Sequence, residues 1–150
     1  MSPSGKFDFI YGDNMAEDGY RVLIVDDEKE IVQGMVSSLK ALTDFKYEAF
    51  DDPGRALQAF WEKPFHLILT DVSMPRIDGF ELMKRIKEKR PASDFILITA
   101  HKSVEVVTRA RRLGAAFIFY KPVDLEEIIN AMEILYKRYL YWQERFSEVS

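Results

Sequence analysis

The chain has 150 residues, of which 47% are hydrophobic and 31% charged, and its 21 basic and 25 acidic residues give a net charge of −4. This length suits one domain that buries its own core, and the charge gives no general electrostatic reason to bind nucleic acid directly. The lack of cysteine excludes disulfides and thiolate metal sites, and no apolar run is long enough to cross a bilayer. We therefore expect a cytoplasmic protein that does not enter a membrane.

Residues 1–19 show no sustained periodicity and lack the apolar stretch of a secretion signal, so we expect a flexible lead-in. The apolar run at 21–25 predicts a buried strand. The pattern that follows predicts a helix with one apolar face formed by Ile31, Met35, Leu39 and Leu42. A second strand is predicted at 46–50, and the next helix begins at Pro53 with Asp52 as its cap.

The rest of the chain continues this alternation. Strands are predicted at 66–70, 95–99 and 116–120, and helices over about 80–90, from Ser103 to Gly114 and from Asp124 onward. Five such units, with strands that are apolar on both faces, predict a parallel sheet covered by helices on both sides. Ligands of such sheets bind at the carboxyl ends of the strands, so reactive side chains are expected there.

Five side chains that can carry chemistry occur at these strand ends. Asp26 and Asp27 follow the first strand, Asp71 follows the third, Thr99 ends the fourth, and Lys121 follows the fifth. Three carboxylates held close together repel one another, and burial disfavours each charge further, so the cluster needs a cation. Oxygen ligands without Cys or His suit Mg²⁺.

This combination fits phosphoryl transfer to a carboxylate. Asp71 would be the nucleophile and would form an aspartyl phosphate. Asp26 and Asp27 would hold Mg²⁺, which offsets the charge that otherwise repels the phosphoryl donor. Lys121 would pair with one phosphoryl oxygen, and Thr99 would donate a hydrogen bond to another.

The stretches VLIVDDE, LILTDVSMPRIDGFEL, ILITAH and GAAFIFYKPVDL, in this order and spacing, resemble the receiver domains of two-component response regulators, the CheY-like family. The resemblance covers roughly Tyr20 to Tyr136. It implies a flavodoxin-like (βα)₅ fold with strand order 2-1-3-4-5. It also implies a partner histidine kinase or histidine phosphotransfer protein that donates the phosphoryl group, and an output domain or partner that the switched surface controls.

The resemblance also assigns roles to individual residues. Asp71 is the phosphoacceptor, and the metal ligands are Asp26, Asp27, Asp71 and the backbone carbonyl of Ser73. Thr99 is the switch hydroxyl, and Lys121 binds the phosphoryl group and precedes a proline in a bond that is usually cis in the family. Phosphorylation is expected to draw Thr99 toward Asp71 and to alter the surface formed by the fourth helix, the fifth strand and the fifth helix.

One position departs from the family pattern. Many receivers have Tyr or Phe three residues before the lysine, where this chain has Ile118. Strand alternation points the neighbouring Phe117 and Phe119 to the opposite face, so we do not expect switching to depend on an aromatic ring turning inward. Ser73 and His101, two residues beyond Asp71 and Thr99, are expected to border the approach of water to the phosphoryl group.

Three other functions fit part of the pattern. A haloacid-dehalogenase-type phosphatase also uses a strand-end aspartate, but it needs a second aspartate two residues later, where this chain has Ser73. A flavodoxin-like flavin binder needs uncharged, hydroxyl-rich phosphate loops, and the acidic cluster argues against it. The remaining alternative is a receiver-like interaction domain that is not phosphorylated, and such a domain is expected to lack part of the set of five residues.

The last predicted helix continues beyond the length that covers the sheet. Its apolar residues recur in steps of three and four, a heptad pattern: Leu125, Ile128, Met132, Leu135, Tyr139, Trp142, Phe146 and Val149. We therefore divide the chain into a lead-in at 1–19, a receiver at 20–136 and a helical extension or linker at 137–150. The extension predicts a homodimer through a short parallel coiled coil, and the alternative is a helix that folds back onto its own domain or frays. The chain is either a fragment of a longer protein or a stand-alone receiver.

Overall fold

A parallel sheet of five strands in the order β2-β1-β3-β4-β5 forms the centre of the protein. The computed structural model describes residues 19–149. The strands are β1 (Arg21–Val25), β2 (Lys46–Phe50), β3 (Leu67–Asp71), β4 (Asp94–Thr99) and β5 (Phe117–Tyr120). The helices are α1 (Lys29–Leu42), α2 (Pro53–Glu62), α3 (Gly79–Lys89), α4 (Val104–Leu113) and α5 (Leu125–Ser147). The predicted flavodoxin-like (βα)₅ fold and its strand order are confirmed.

Alternate residues of each central strand enter one of two separate cores. Leu23 and Ile68 lie on the face covered by α2, α3 and α4, whereas Val22 and Leu67 lie on the face covered by α1 and α5. All five residues of β1 and of β3 are buried. The sheet is thus covered on both sides, as two-sided apolar strands require.

Side-chain caps fix where three of the helices begin. The Asp52 side chain accepts a hydrogen bond from the backbone N–H of Gly54, and Ser103 accepts one from Val106. Asp124 accepts one from the backbone N–H of Glu126 at the start of α5. Gly114 ends α4 with a φ of 86°, in the left-handed region that favours glycine. These contacts satisfy backbone groups that a helix end leaves unpaired.

The apolar face of α1 differs from the sequence prediction. Its buried residues are Val32, Met35 and Leu39, whereas Ile31 is half-buried and Leu42 is 63% exposed. At 100° per residue, Ile31 and Leu42 lie about 60° from the centre of the buried face, on its rim. The assignment of Leu42 to the buried face is therefore wrong.

Helix α5 has 23 residues and spans about 34 Å at 1.5 Å per residue. Tyr139, which belongs to the extension predicted at 137–150, packs on the domain itself: its ring centroid lies 5.5 Å from that of Tyr20 and 4.5 Å from that of His66. The exposed part of the stripe begins about one turn later, at Trp142, which is 47% exposed. The part of the chain that the structure describes contains no helix long and apolar enough to cross a membrane. Apart from Gly19, the lead-in expected at 1–19 lies outside the described residues.

Candidate functional site

Three buried polar side chains lie side by side at the carboxyl ends of the central strands. Asp26 directly follows β1, Asp71 is the last residue of β3, and Thr99 is the last residue of β4. Their exposed fractions are only 5%, 5% and 0%. Because β1 and β4 both pair with β3 in parallel, the strand order brings together residues that are far apart in sequence. The structure thus places these three predicted residues next to one another.

Lys121, which follows β5, joins the cluster through its ammonium group. The Nζ atom lies 3.0 Å from Asp26 Oδ2 and 3.2 Å from Asp71 Oδ2. It also lies 3.3 Å from Oε1 of Glu28, whose side chain is 60% exposed. Lys121 therefore bridges two buried carboxylates and contacts a third acid at the rim. The peptide bond between Lys121 and Pro122 is cis, as the resemblance implied.

The protonation of Asp71 reflects this environment. Burial raises the pKa of the Asp71 carboxyl above its ordinary value, the nearby Asp26 raises it further, and Lys121 acts in the opposite direction. Burial alone would lower the pKa of Lys121, but its hydrogen bond and charge interaction with Asp26, together with Asp71, raise it. The pair therefore keeps Lys121 protonated while two carboxylates share its charge.

The acids of the cluster fit a hard divalent cation. Asp26, Asp27 and Asp71 each place a carboxylate oxygen within 4.8 Å of the others. Asp26 and Asp71 are buried, whereas Asp27 is exposed and opens the cluster to solvent. An all-oxygen set with solvent access suits Mg²⁺, which keeps several waters and takes one or two carboxylates from the protein. The backbone N–H of Ser73 points to Asp71 Oδ1 at 3.4 Å.

Thr99 connects the cluster to the loop before α4. Its Oγ1 accepts a hydrogen bond of 3.0 Å from the backbone N–H of His101. Its backbone carbonyl accepts a bond of 2.8 Å from the backbone N–H of Lys121. Because the side-chain oxygen acts as acceptor toward His101, the hydroxyl hydrogen is available for a further acceptor. The side chains of His101 and Ser73 are both exposed, at the outer edge of the same end of the sheet.

Ile118 faces away from its two aromatic neighbours, as strand alternation predicts. It packs on the core beneath α4, whereas Phe117 and Phe119 pack on the α5 side and stack on each other at 6.0 Å. The branched side chain at this position therefore supports one core of the sheet. Its role in switching stays a prediction.

Two residues of the site escaped the sequence analysis. Glu28 contacts Lys121 as described above, and only its position two residues after Asp26 could have indicated it. Gly79, the first residue of α3, approaches the backbone of Asp71 so closely that a Cβ there would lie 2.4 Å from the Asp71 carbonyl oxygen. The Asp-Gly pair before the third helix marks this position in the sequence.

A family model described as the response regulator receiver domain matches residues 22–133. The chain belongs to this family. Receiver domains are signalling domains of two-component systems rather than enzymes that turn over separate substrates, and phosphorylation and Mg²⁺ binding through acidic residues are characteristic of them. The three-dimensional placement of the acids and Lys121 accords with that membership.

Relatives of known name share this domain. The regulatory protein AtoC of Escherichia coli (strain K12) is 35% identical over 108 residues, which are 72% of this chain and 23% of that protein. The response regulator receiver protein CpdR of Brucella abortus (strain 2308) is 29% identical over 113 residues, which are 75% of this chain and 93% of that protein. The chain thus spans about a quarter of the length of AtoC and most of the length of CpdR.

Solved structures agree on the fold. The receiver domain of the Francisella response regulator 1452 superposes with a TM-score of 0.73 at 27% identity, covering 79% of this chain and 98% of that one. The chemotaxis protein CheY4 of Vibrio cholerae gives a TM-score of 0.70 at 27% identity, covering 78% of this chain and 98% of that one. In both cases, nearly the whole neighbouring chain matches.

Proposed function

We propose that Asp71 accepts a phosphoryl group from a phosphohistidine of a partner histidine kinase or histidine phosphotransfer protein, and that this modification switches the receiver. The observation that carries the proposal is the meeting of Asp26, Asp27, Asp71, Thr99 and Lys121 at one end of the sheet. Structural ion pairs can form at any strand end, but a buried nucleophile, an acidic metal cluster and a cation rarely coincide by chance.

In the transfer step, an ionised carboxylate oxygen of Asp71 attacks phosphorus, and the P–N bond to the donor imidazole breaks. The imidazole leaves with the bonding electron pair, and the product is an acyl phosphate on Asp71. Lys121 opposes the rise that burial causes in the pKa of the Asp71 carboxyl, and its ammonium can follow the transferred oxygens as their charge moves onto Asp71.

The metal site is proposed from the donor set. Asp26, Asp27 and Asp71 would hold Mg²⁺, and the backbone carbonyl of Ser73 would be a further ligand. When bound, the ion supplies charge that offsets the repulsion between the phosphoryl oxygens and the carboxylates. Four acids around the site, including Glu28, face the single ammonium of Lys121, so additional positive charge is needed before an anionic donor can approach.

Switching is proposed to start at Thr99. A phosphoryl oxygen on Asp71 offers its hydroxyl a charged acceptor, and charge-assisted hydrogen bonds are about twice as strong as neutral ones. When the Thr99 side chain moves toward that acceptor, its hydrogen bond from the His101 N–H breaks and the loop before α4 is released. The surface formed by α4, β5 and α5 then changes by a shift between existing states, and an output module or partner responds to it. With Ile118 in β5, no ring needs to turn.

The test is phosphorylation by acetyl phosphate with Mg²⁺, read by intact mass. We expect one added phosphoryl group on the wild-type chain and none on Asp71→Ala or when EDTA is present. Asp94→Ala is the matched control, because Asp94 is also a partly buried acid with a raised pKa but lies at the start of β4, at the opposite edge. Undiminished labelling of Asp71→Ala contradicts the site, and no labelling of any variant favours the interaction domain without phosphorylation.

A second role is proposed for the end of α5. The receiver would comprise residues 20–136, and residues 137–150 would be a helical extension. Leu140, Tyr141 and Trp142 are 44%, 52% and 47% exposed on successive positions of that extension. Exposed apolar groups of this size favour a partner, and a second copy of the same helix provides one by two-fold pairing.

A further inference from the structure

A cavity lies at the amino-terminal ends of the strands, at the opposite end of the sheet from Asp71. Its volume is about 440 Å³, and its walls come from the residue before β1, from the turn between α3 and β4, and from the last turns of α5. Its lining residues include Tyr20, Arg90, Trp142 and Phe146. We call this cavity the α5 groove. None of the proposed phosphoryl-site residues lines it.

The α5 groove is positively charged. Lys87, Arg90 and Arg138 line it, and the carboxylate among its lining residues is that of Asp94. Arg138 Nη2 lies 2.6 Å from Asp94 Oδ1, so one pair is neutralised internally. The charge of Lys87 and Arg90 is left to attract acidic groups, and the chain as a whole is acidic.

A buried hydroxyl and an exposed indole belong to residues that line the groove and could contact a polar, aromatic occupant. Tyr20 is only 5% exposed, yet its Oη atom has no hydrogen-bond partner within residues 19–149. A buried hydroxyl without a partner costs free energy, and a small rearrangement of the groove wall that lets an acceptor reach this hydroxyl would remove that cost. Trp142 offers a large apolar surface beside it, with 47% exposure.

We propose that the groove is the docking site of residues 7–18 of the same chain. This segment, FDFIYGDNMAED, carries four acidic residues, three aromatic residues and no basic residue, and so complements both the cations and the indole. Gly19 joins it to Tyr20, which itself lines the groove. The eight Cα–Cα steps from Tyr11 to Gly19 can span at most about 27 Å, enough to cross a cavity of this size. Tethering at the rim gives the segment a high effective concentration there.

Docking would have a regulatory consequence that rests on the helix pairing proposed above. Trp142 and Phe146 belong to the stripe on which two α5 helices would pair, and both also line the groove. The segment and a second chain would therefore compete for the same side chains. Docking itself does not depend on phosphorylation or on pairing.

A spin label tests the docking in the full-length chain. Because the sequence has no cysteine, Asn14→Cys accepts a single nitroxide, and the two tryptophan indole N–H signals report on two places. We expect loss of the Trp142 signal and retention of the Trp61 signal, since Trp61 lies on α2. The same label at Gln58→Cys, on α2 one turn before Trp61, should give the reverse result and serves as the matched control.

Further variants separate the possible occupants. Adding Arg90→Glu or Tyr20→Phe to the labelled chain should restore part of the Trp142 signal, while Lys40→Glu on exposed α1 should not. A Trp142 signal that stays sharp in the labelled chain overturns the proposal. Loss of that signal that neither Arg90→Glu nor Tyr20→Phe reduces also overturns it, because the tether alone then explains the broadening. A mixed sample gives a further check, in which one set of chains carries the spin label at natural isotope abundance and the other carries the isotope label without the spin label. If the Trp142 signal broadens only in this mixture, the proposal is also overturned, because the segment then comes from another molecule.

Discussion

The backbone of Gly79 lies against the backbone of Asp71, leaving no room for a side chain between them. A Cβ at position 79 would lie 2.4 Å from the Asp71 carbonyl oxygen and 3.0 Å from the Cα of Val72. The Gly79 N–H also donates a 2.8 Å hydrogen bond to the Val72 carbonyl. The start of α3 thus holds in place the loop that follows the proposed phosphoacceptor.

The first prediction follows from this contact. Gly79→Ala must displace the backbone after Asp71, so we expect a loss of about 1–3 kcal/mol in the free energy of unfolding, measured by urea denaturation. Gly34→Ala is the matched control, because Gly34 lies within α1 with nothing within 4 Å of its would-be Cβ. That change should be neutral or should stabilise by about 0.5–1 kcal/mol. Equal effects of the two substitutions would contradict the proposed close approach.

The second prediction concerns Lys121 and pH. Lys121→Gln leaves Asp26 and Asp71 buried without their cation, and we expect a loss of about 3 kcal/mol at neutral pH. The pKa of Asp71 is already raised by burial and by Asp26, and it should rise further without Lys121. Between the ordinary pKa of an aspartate and the raised pKa of Asp71, the folded state then binds more protons than the unfolded state. Stability therefore falls as the pH rises through that interval and returns on acidification.

The measurement is urea denaturation of Lys121→Gln as a function of pH, with and without Mg²⁺. The variant should gain more stability than the wild type when the pH is lowered from 7 toward 5, and Mg²⁺ should stabilise it more than the wild type. Lys40→Gln, at the exposed end of α1, is the control and should show neither effect. A variant whose stability does not depend on pH would mean that Lys121 does not govern the ionisation of Asp71.

The third prediction isolates the switch. In Thr99→Ala, we expect phosphorylation of Asp71 to proceed, while the His101 amide loses its acceptor already in the unphosphorylated state. Amide exchange at His101 should therefore speed up on phosphorylation of the wild type and change little in the variant. Thr108→Ala, on an exposed face of α4, should behave as the wild type. An unchanged His101 amide in the phosphorylated wild type would refute the coupling.

The fourth prediction addresses the lifetime of the phosphoryl group. Ser73 and His101 are exposed at the rim of the site, where water has to approach. Replacing both by alanine should change the dephosphorylation rate several-fold and leave phosphate uptake largely intact, as followed by the decay of the phosphorylated mass. A double variant of Ser37 and Lys40, both exposed on α1, provides the baseline. Identical decay in the two double variants would remove Ser73 and His101 from this step.

The fifth prediction concerns assembly. The full chain should show concentration-dependent dimerisation in analytical ultracentrifugation, and a chain ending at Lys137 should not. Trp142→Glu should also abolish the dimer, whereas Trp61→Glu, a change at a tryptophan of similar exposure on α2, should leave it intact. Monomers at every concentration would show that the α5 extension serves only its own domain.

Much of the fold and the site could be read from the sequence because parallel strands impose a simple geometry. Once apolar runs ending in Asp26, Asp71 and Thr99 are assigned to one sheet, their ends must meet. Contacts that depend on how closely two elements approach each other could not be predicted from the sequence. The approach of Gly79 to Asp71 depends on how α3 seats on the sheet, and the reach of Glu28 to Lys121 depends on the first turn of α1.

The errors have related causes. Leu42 fits the helical period but lies on the rim of the buried face, and the period alone does not locate the centre of that face. Tyr139 fits the heptad, yet it packs on Tyr20 and His66 because those two rings lie at the amino edge of the sheet, beneath the continuing helix. A heptad pattern in one helix does not show whether its apolar residues pack on the same domain or on another chain.

Strand β1 connects the two ends of the sheet. Tyr20, immediately before it, lines the α5 groove, and Asp26, immediately after it, belongs to the acidic cluster. All five of its residues are buried and pair with β2, and four of them also pair with β3, so the strand is held on both sides by close-packed neighbours. Helix α5 also connects the two ends: its cap residue Asp124 comes three residues after Lys121, and its last turns border the groove. Two continuous stretches of backbone, one buried strand and one helix, therefore join the acidic cluster to the α5 groove.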